Sequence, residues 1–207
     1  MKIVKKRGIA LEYFLALPDK KISNPLSFDL TKEQLKSTKP MFINVGNIGN
    51  KALVDLIVKR VLFDSYFFVS EELKEIIESY EPSERYKKHN NSDKTNKMDK
   101  TDKANKTNEI SKKLQMHPLF VTNNDNSLQV AYWCLEMKAT EDVVVNKFRD
   151  AQDMQINESR VIDKAIHKIH YEKQTFLLVN HYLAESILRR CPKGIYFQVV
   201  KKSEEAK

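Results

Sequence analysis

Ser65-Tyr66-Phe67-Phe68-Val69-Ser70-Glu71-Glu72-Leu73-Lys74-Glu75-Ile76-Ile77 finds its pattern again 110 positions later. The second stretch is Thr175-Phe176-Leu177-Leu178-Val179-Asn180-His181-Tyr182-Leu183-Ala184-Glu185-Ser186-Ile187. Each stretch reads as a short buried strand, a capping residue and an amphipathic helix. Ser70 and Asn180 are good N-caps, because their side-chain oxygens can accept from free amides of the first helical turn. Glu71 and Glu72 add favourable charge at the positive end of the first helix dipole. Leu73, Ile76, Ile77 and Tyr80 then recur at helical spacing, as do Leu183, Ile187 and Leu188. Glu81-Pro82 ends the first helix, and Cys191-Pro192-Lys193-Gly194 the second. Two copies are too few for a solenoid, so the expectation is an α+β fold. It comprises two pseudo-duplicated strand-cap-helix units on mixed or antiparallel sheets.

Between the copies the composition changes. Residues 83–113 hold ten Lys or Arg, five Asp or Glu and four apolar residues, so they carry +5 of the chain's formal +8. Lys94 to Asn108 is five Lys-led triplets, a period that matches neither helix nor strand. Such a tract cannot bury enough to offset its ordering entropy, and it is expected as a disordered, mobile insertion. An electrostatic tether to phosphate is the competing reading. Interleaved acids and the lack of Arg or aromatic residues in the triplets argue against it. The division follows: an N-terminal half 1–82, the insertion 83–113, a C-terminal half 114–200 and a charged tail 201–207, both halves forming one compact domain.

Working outward, Ile9 to Leu17 reads as a strand. Lys2, Lys5, Lys6 and Arg7 before it mimic a signal peptide, but Glu12 interrupts the apolar run and no small-x-small cleavage site follows. Thr31 to Ser37 is a short helix candidate, Met41 to Val45 a strand, and Lys51 to Leu62 a helix with Leu53, Leu56, Ile57 and Val61 on one face. His117 to Thr122 and Leu128 to Met137 flank Asn123-Asn124-Asp125-Asn126 as a hairpin, and Ile195 to Val200 is a last strand. Residues 143–170 give no single assignment.

Chemistry is sparse. His167-x-x-His170 with His181 downstream is the one cluster resembling a metal site; its spacing suits a zinc-binding helix poorly and a strand not at all. Cys134 sits inside Tyr132-Trp133-Cys134-Leu135, an alternating half-buried strand, where a small core thiol is the plain reading. Cys134 and Cys191 form no C-x-x-C, and free thiols in a reducing cytoplasm are expected. Four glycines leave no phosphate-cradling loop, and there is no G-x-S-x-G. We expect no enzyme, no cofactor, no metal and no membrane span. Trp133 is the only tryptophan, and tryptophan and tyrosine dominate many protein interfaces. Strand alternation turns either Trp133 or the pair Tyr132 and Cys134 outward, so Tyr132 and Trp133 are the candidate partner-binding residues.

Phe67 to Ile77, the proline-marked strand His117-Pro118-Leu119-Phe120-Val121, Tyr132 in the next strand, Phe176 to Val179 and the closing Gly194-Ile195-Tyr196-Phe197 together resemble a family. It is the bacterial immunity proteins of polymorphic-toxin systems, long catalogued as a domain of unknown function. The likeness spans about Lys39 to Val200 and rests on structural motifs. Asn180-His181-Tyr182 departs from the Ser-Glu pair usual in the second unit, and the lysine insertion is foreign to the pattern. The resemblance implies a cytoplasmic, non-enzymatic inhibitor that occludes a cognate protein toxin. Partners of basic nucleases are commonly acidic, and this chain is not, which points away from a strongly basic nuclease. The alternative from another class is a nucleic-acid-associated accessory protein using the basic tract; the rest of the chain lacks a basic patch interleaved with aromatics.

Overall fold

The computed structural model describes residues 12–36, 39–61, 64–80, 114–161 and 164–203. The expected insertion 83–113, residues 204–207 of the expected tail and residues 9–11 of the expected first strand lie outside that set, while Lys201 and Lys202 belong to the last strand and not to a tail. The fold is α+β and dominated by two mixed sheets.

In chain order the elements are β1 (Tyr13–Pro18), α1 (Lys32–Lys36), β2 (Met41–Asn44), β3 (Leu56–Val61), β4 (Asp64–Ser70) and α2 (Glu71–Ser79). Then come β5 (Gln115–Thr122), β6 (Gln129–Glu136), β7 (Ala139–Thr140), β8 (Gln155–Ile156), β9 (Ile166–Tyr171), β10 (Gln174–Asn180), α3 (His181–Arg189) and β11 (Ile195–Lys202). The five-stranded sheet runs β2-β5-β6-β4-β3, and the six-stranded sheet β7-β9-β10-β1-β11-β8. Sheet membership does not follow the division of the sequence. β1 lies between β10 and β11, antiparallel to both.

Both strand-cap-helix readings hold. Ser70 Oγ accepts from Leu73 N at 3.3 Å, and Asn180 Oδ1 accepts from Leu183 N at 2.9 Å. The short helix α1 carries a reciprocal capping box: Thr31 Oγ1 accepts from Gln34 N, and Gln34 Oε1 from Thr31 N. The β5–β6 hairpin pairs from Gln115↔Glu136 to Thr122↔Gln129.

One expectation fails. In the expected helix Lys51 to Leu62, the described residues 51–61 are not helical; Leu56–Val61 is strand β3, paired with β4 from Leu56↔Val69 to Val61↔Asp64. Leu56 and Val58 face one core and Ile57 another. A strand covered on both faces shows no alternation, and its apolar run passes for a helical stripe. The β-branched Ile57, Val58 and Val61 were the contrary signal.

Three apolar clusters hold these layers. The central one joins Phe67, Val69, Leu56 and Leu135 of the five-stranded sheet to Ala16, Leu177 and Val179 of the other. Both helices enter it through Leu73, Ile76, Ile77, Leu183 and Ile187. The outer face of the five-stranded sheet is covered by Leu26, Phe28, Ile48 and Val54, and that of the six-stranded sheet by Val143, Met154 and Val161, which pack with Ile156 of β8. The unassigned stretch 143–170 is thus largely an irregular cover leading into β9. Where the sheets meet, buried Lys168 reaches Asp64 at 2.8 Å, and Thr175 Oγ1 donates to the same carboxylate at 3.3 Å. The hydroxyls of Tyr80 and Ser186 tie α2 to α3 at 2.6 Å.

A candidate protein-binding face

Alternation along β5 and β6 decides which side chains reach the surface. Leu119, Val121, Tyr132 and Cys134 enter the outer core with Met41 and Ile43 of β2. Phe42, Phe120, Pro118 and Trp133 therefore project from the opposite face, the one that carries α2. Trp133 lies under the start of that helix. Its indole N–H donates to Glu71 Oε2 at 2.5 Å, and Lys74 Nζ sits 3.7 Å from the ring centre. Burial works against ionisation of Glu71, but hydrogen bonds from Lys74 and Trp133 and the Lys74 charge together outweigh it. They hold the carboxyl below its ordinary 4.5.

Further toward β2 no helix among the described residues covers the sheet. Phe42 and Phe120 pair across the parallel β2–β5 ladder and stack with centroids 5.2 Å apart and planes at 24°. Phe42 is 68% exposed. Together with half-buried Trp133 and Pro118, it forms an aromatic face along one edge of the five-stranded sheet. A large exposed apolar group of this kind marks an interaction surface more often than a lone exposed leucine does.

The six-stranded sheet supplies an internal comparison. Ser70 pairs with Tyr132, which pairs with Leu119, which pairs with Met41; Asn180 pairs with Tyr13, which pairs with Val200. One rung further on, the five-stranded sheet has Phe120 opposite Phe42, and the six-stranded sheet has Lys201 opposite Gln155. Lys201 reaches Asp153 at 3.4 Å. The same place in a similar framework is thus built from polar residues, so the framework itself does not require aromatics there.

The two residues proposed from sequence separate. Trp133 belongs to this face. Tyr132 does not: it is 2% exposed, its hydroxyl donates to Val54 O at 2.9 Å, and burial pushes its pKa up to about 12. It is a core residue, and the choice left open by alternation resolves with Tyr132 and Cys134 inward. Burial likewise drives the Cys134 thiol up to about 12, which keeps it protonated. Cys191 is exposed, distant in sequence and free. His167 is buried with Nε2 2.9 Å from Val161 O, while His170 Nδ1 lies 3.3 Å from Thr175 Oγ1. Three residues apart on β9, the two rings take opposite faces. His181 stands apart at the start of α3, 4.0 Å from Glu12. Among the described residues no three His, Cys, Asp or Glu side chains are grouped to hold a metal ion, and no helix is long and apolar enough to cross a membrane.

Sequence reasoning missed Phe42 and Phe120. A signal for them existed: Met41-Phe42-Ile43-Asn44 against Met154-Gln155-Ile156-Asn157, which differ only at the position that turns outward. Neither a protein-family model nor a curated protein matches this chain.

Proposed function

We propose that this chain is a binding protein that neutralises a cognate protein toxin by occlusion in the cytoplasm of the toxin's producer. Its aromatic face is the contact surface. The observation that carries the reading is exposed Phe42 stacked on half-buried Phe120 near Trp133, where the corresponding rung of the other sheet is Lys201 and Gln155. Burying a mostly exposed Phe on a partner contributes about 2 kcal/mol, and clustered aromatics are the usual centre of a tight interface. The toxin assignment itself rests on the family resemblance of the two strand-cap-helix units.

The fold proposed with it is a duplication in which each unit contributes hairpin, cap, helix and flanking strands. Several correspondences support that reading. The order β2-β5-β6-β4-β3 matches β8-β11-β1-β10-β9. Tyr132 OH donates to Val54 O, and Tyr13 OH to Val161 O. Ser70 N donates to Asp55 O, and Asn180 N to Ala165 O. On this view β1 is the final strand of the second unit, supplied from the opposite end of the described chain. The short link Arg190 to Gly194 corresponds to the place where residues 81–113 fall in the first unit.

The test is capture and protection. The chain would be co-expressed with the product of the adjacent toxin-bearing gene, and growth and complex formation followed by size exclusion. Protection that titrates at a fixed molar ratio, and falls with Phe42→Ala and Phe120→Ala in folded protein, is expected. Rescue at strongly substoichiometric levels would refute occlusion. Submicromolar nucleic-acid binding that survives physiological salt would favour the accessory-protein alternative instead.

A further inference from the structure

Among the described residues the outer edge of β2 is open, and the outer edge of its counterpart is not. In the six-stranded sheet, β8 pairs on one side with β11 and on the other with Val143 to Val145. Val144 bridges Ile156 antiparallel, Val145 N donates to Gln155 O at 3.0 Å, and Asn157 N donates to Val143 O at 2.8 Å. In the five-stranded sheet, Val45 N donates to Thr122 O at 3.0 Å, continuing the parallel ladder of β2 on β5. Backbone groups alternate sides along a strand, so Met41, Ile43 and Val45 turn toward β5. The N–H and C=O groups of Phe42 and Asn44 turn outward. Among the described residues nothing pairs with them. Their counterparts on Gln155 and Asn157 are met largely by the run that covers β8: Gln155 O accepts from Val145 N, Asn157 N donates to Val143 O, and Gln155 N donates to the Asn146 side chain at 2.7 Å.

Apart from its shortness and the Lys39-Pro40 pair just before it, the edge lacks the devices that protect such strands. Met41–Asn44 contains no charge and no proline, whereas the other edge strand of the same sheet, β3, carries Lys59 and Arg60. At the far side of the six-stranded sheet, β7 is only two residues long.

We infer that β2 is a strand-addition site, taking an extended apolar segment of the partner protein antiparallel along its outer edge. The residue opposite Phe42 lies over the Phe42–Phe120 stack. Backbone pairing supplies a sequence-tolerant part of the affinity and the aromatic stack the selective part. The occupant's character is read from Val143-Val144-Val145, the run that fills the same position in the six-stranded sheet: extended, β-branched and uncharged. The inference deepens the proposed face and rests on its being a protein-binding surface.

The experiment uses the full chain and, as probe, the capped synthetic peptide of sequence Glu141–Lys147. Amide exchange and chemical shifts are followed by NMR at millimolar peptide. Saturable slowing of exchange at the Phe42 and Asn44 amides is expected, with Gln155 and Asn157 unaffected. Phe42→Ala removes only the ring, whereas Phe42→Pro also removes the outward N–H, at a place where an edge strand tolerates proline. Phe42→Pro should bind the peptide about three- to tenfold more weakly than Phe42→Ala, the loss of about one hydrogen bond. Equal binding by the two variants, or exchange changes confined to other residues, would overturn strand addition. Should Phe42→Pro fail to fold, the exchange pattern of the unsubstituted chain decides alone. Peptide addition at β2 with undiminished toxin protection by Phe42→Ala would sink the proposed function and leave this inference standing. Lost protection without peptide addition would do the reverse.

Discussion

Replacing Gly194 by alanine should cost about 2–5 kcal/mol of stability, because two separate penalties fall on one methyl group. Gly194 closes the turn after α3 with φ +73°, a left-handed conformation that costs an L-residue about 1–2 kcal/mol. A Cβ added there would lie 2.5 Å from Val54 Cγ1 and 2.7 Å from Val54 Cβ. Val54 has little room to retreat. It is buried in the outer core of the five-stranded sheet, and its carbonyl accepts the Tyr132 hydroxyl. Overpacking of this kind typically adds about 1–3 kcal/mol. The turn is pinned besides, since Gly194 O accepts from Asp19 N and both backbone groups of Lys193 bond to Asp55. Urea unfolding of Gly194→Ala, Val54→Ala and the double variant separates the penalties. Truncating Val54 removes the 2.5 Å contact with Cγ1 but keeps the 2.7 Å contact with Cβ, so the steric part is relieved only in part and the double variant should be about 0.5–1.5 kcal/mol more stable than the summed single effects. Gly194→Ala within about 0.5 kcal/mol of the parent would refute the reasoning, as would strict additivity with Val54→Ala.

Phe42→Ala should leave the melting temperature nearly unchanged, because Phe42 is mostly in solvent, whereas Phe120→Ala, at a half-buried position, should lower it modestly. If the proposed function holds, Phe42→Ala should weaken binding of the partner toxin about thirtyfold by titration calorimetry, the equivalent of about 2 kcal/mol. Leu73→Ala and Leu183→Ala, fully within the central core, should each cost about 2–5 kcal/mol by denaturant midpoint. Ser70→Ala and Asn180→Ala, which lose a cap, should cost about 0.5–2 kcal/mol. Glu71 favours its ionised form in the folded chain. Its contribution is therefore complete above the ordinary 4.5 and fades as pH falls through the lowered value. Emission from Trp133, the only tryptophan, should change with a midpoint below 4.5 and lose that change in Glu71→Gln. A midpoint at or above 4.5 would contradict the assigned contacts.

Caps, helices and hairpin were legible because each is fixed by residues close in sequence. Ser70 and Asn180 needed only the three residues that follow them. β3 was misread because its burial on two faces is set by distant partners, Leu135 and Leu177 on one side and Phe28 on the other. The candidate face was half legible. Trp133 stands out in any sequence, yet whether it or Tyr132 faced outward depended on the register with Val69 and Ser70. Phe42 was hidden for another reason. An aromatic in a four-residue apolar strand reads as core until the reach of α2 over the sheet is known. The stretch 143–170 defied assignment because its first part, up to Val161, has little regular structure before β9 begins. The work of that part is to bury Val143, Met154 and Val161 over the sheet, packed with Ile156 of β8.

The position of β1 between β10 and β11 imposes an order on synthesis. All five strands of the five-stranded sheet lie between Met41 and Glu136, so that sheet can assemble on the ribosome as soon as those residues emerge. β1 leaves the exit tunnel earlier but has no partners until β10 and β11 follow. From Pro18 to Lys202 is 184 residues, about 10–40 s of translation at common elongation rates. Throughout that interval Tyr13 and Leu15, later wholly enclosed, are available to chaperones or to a stray β-strand from another nascent chain. A short peptide spanning β1, supplied during translation, would compete for that vacancy and act as a timed inhibitor of the chain's maturation.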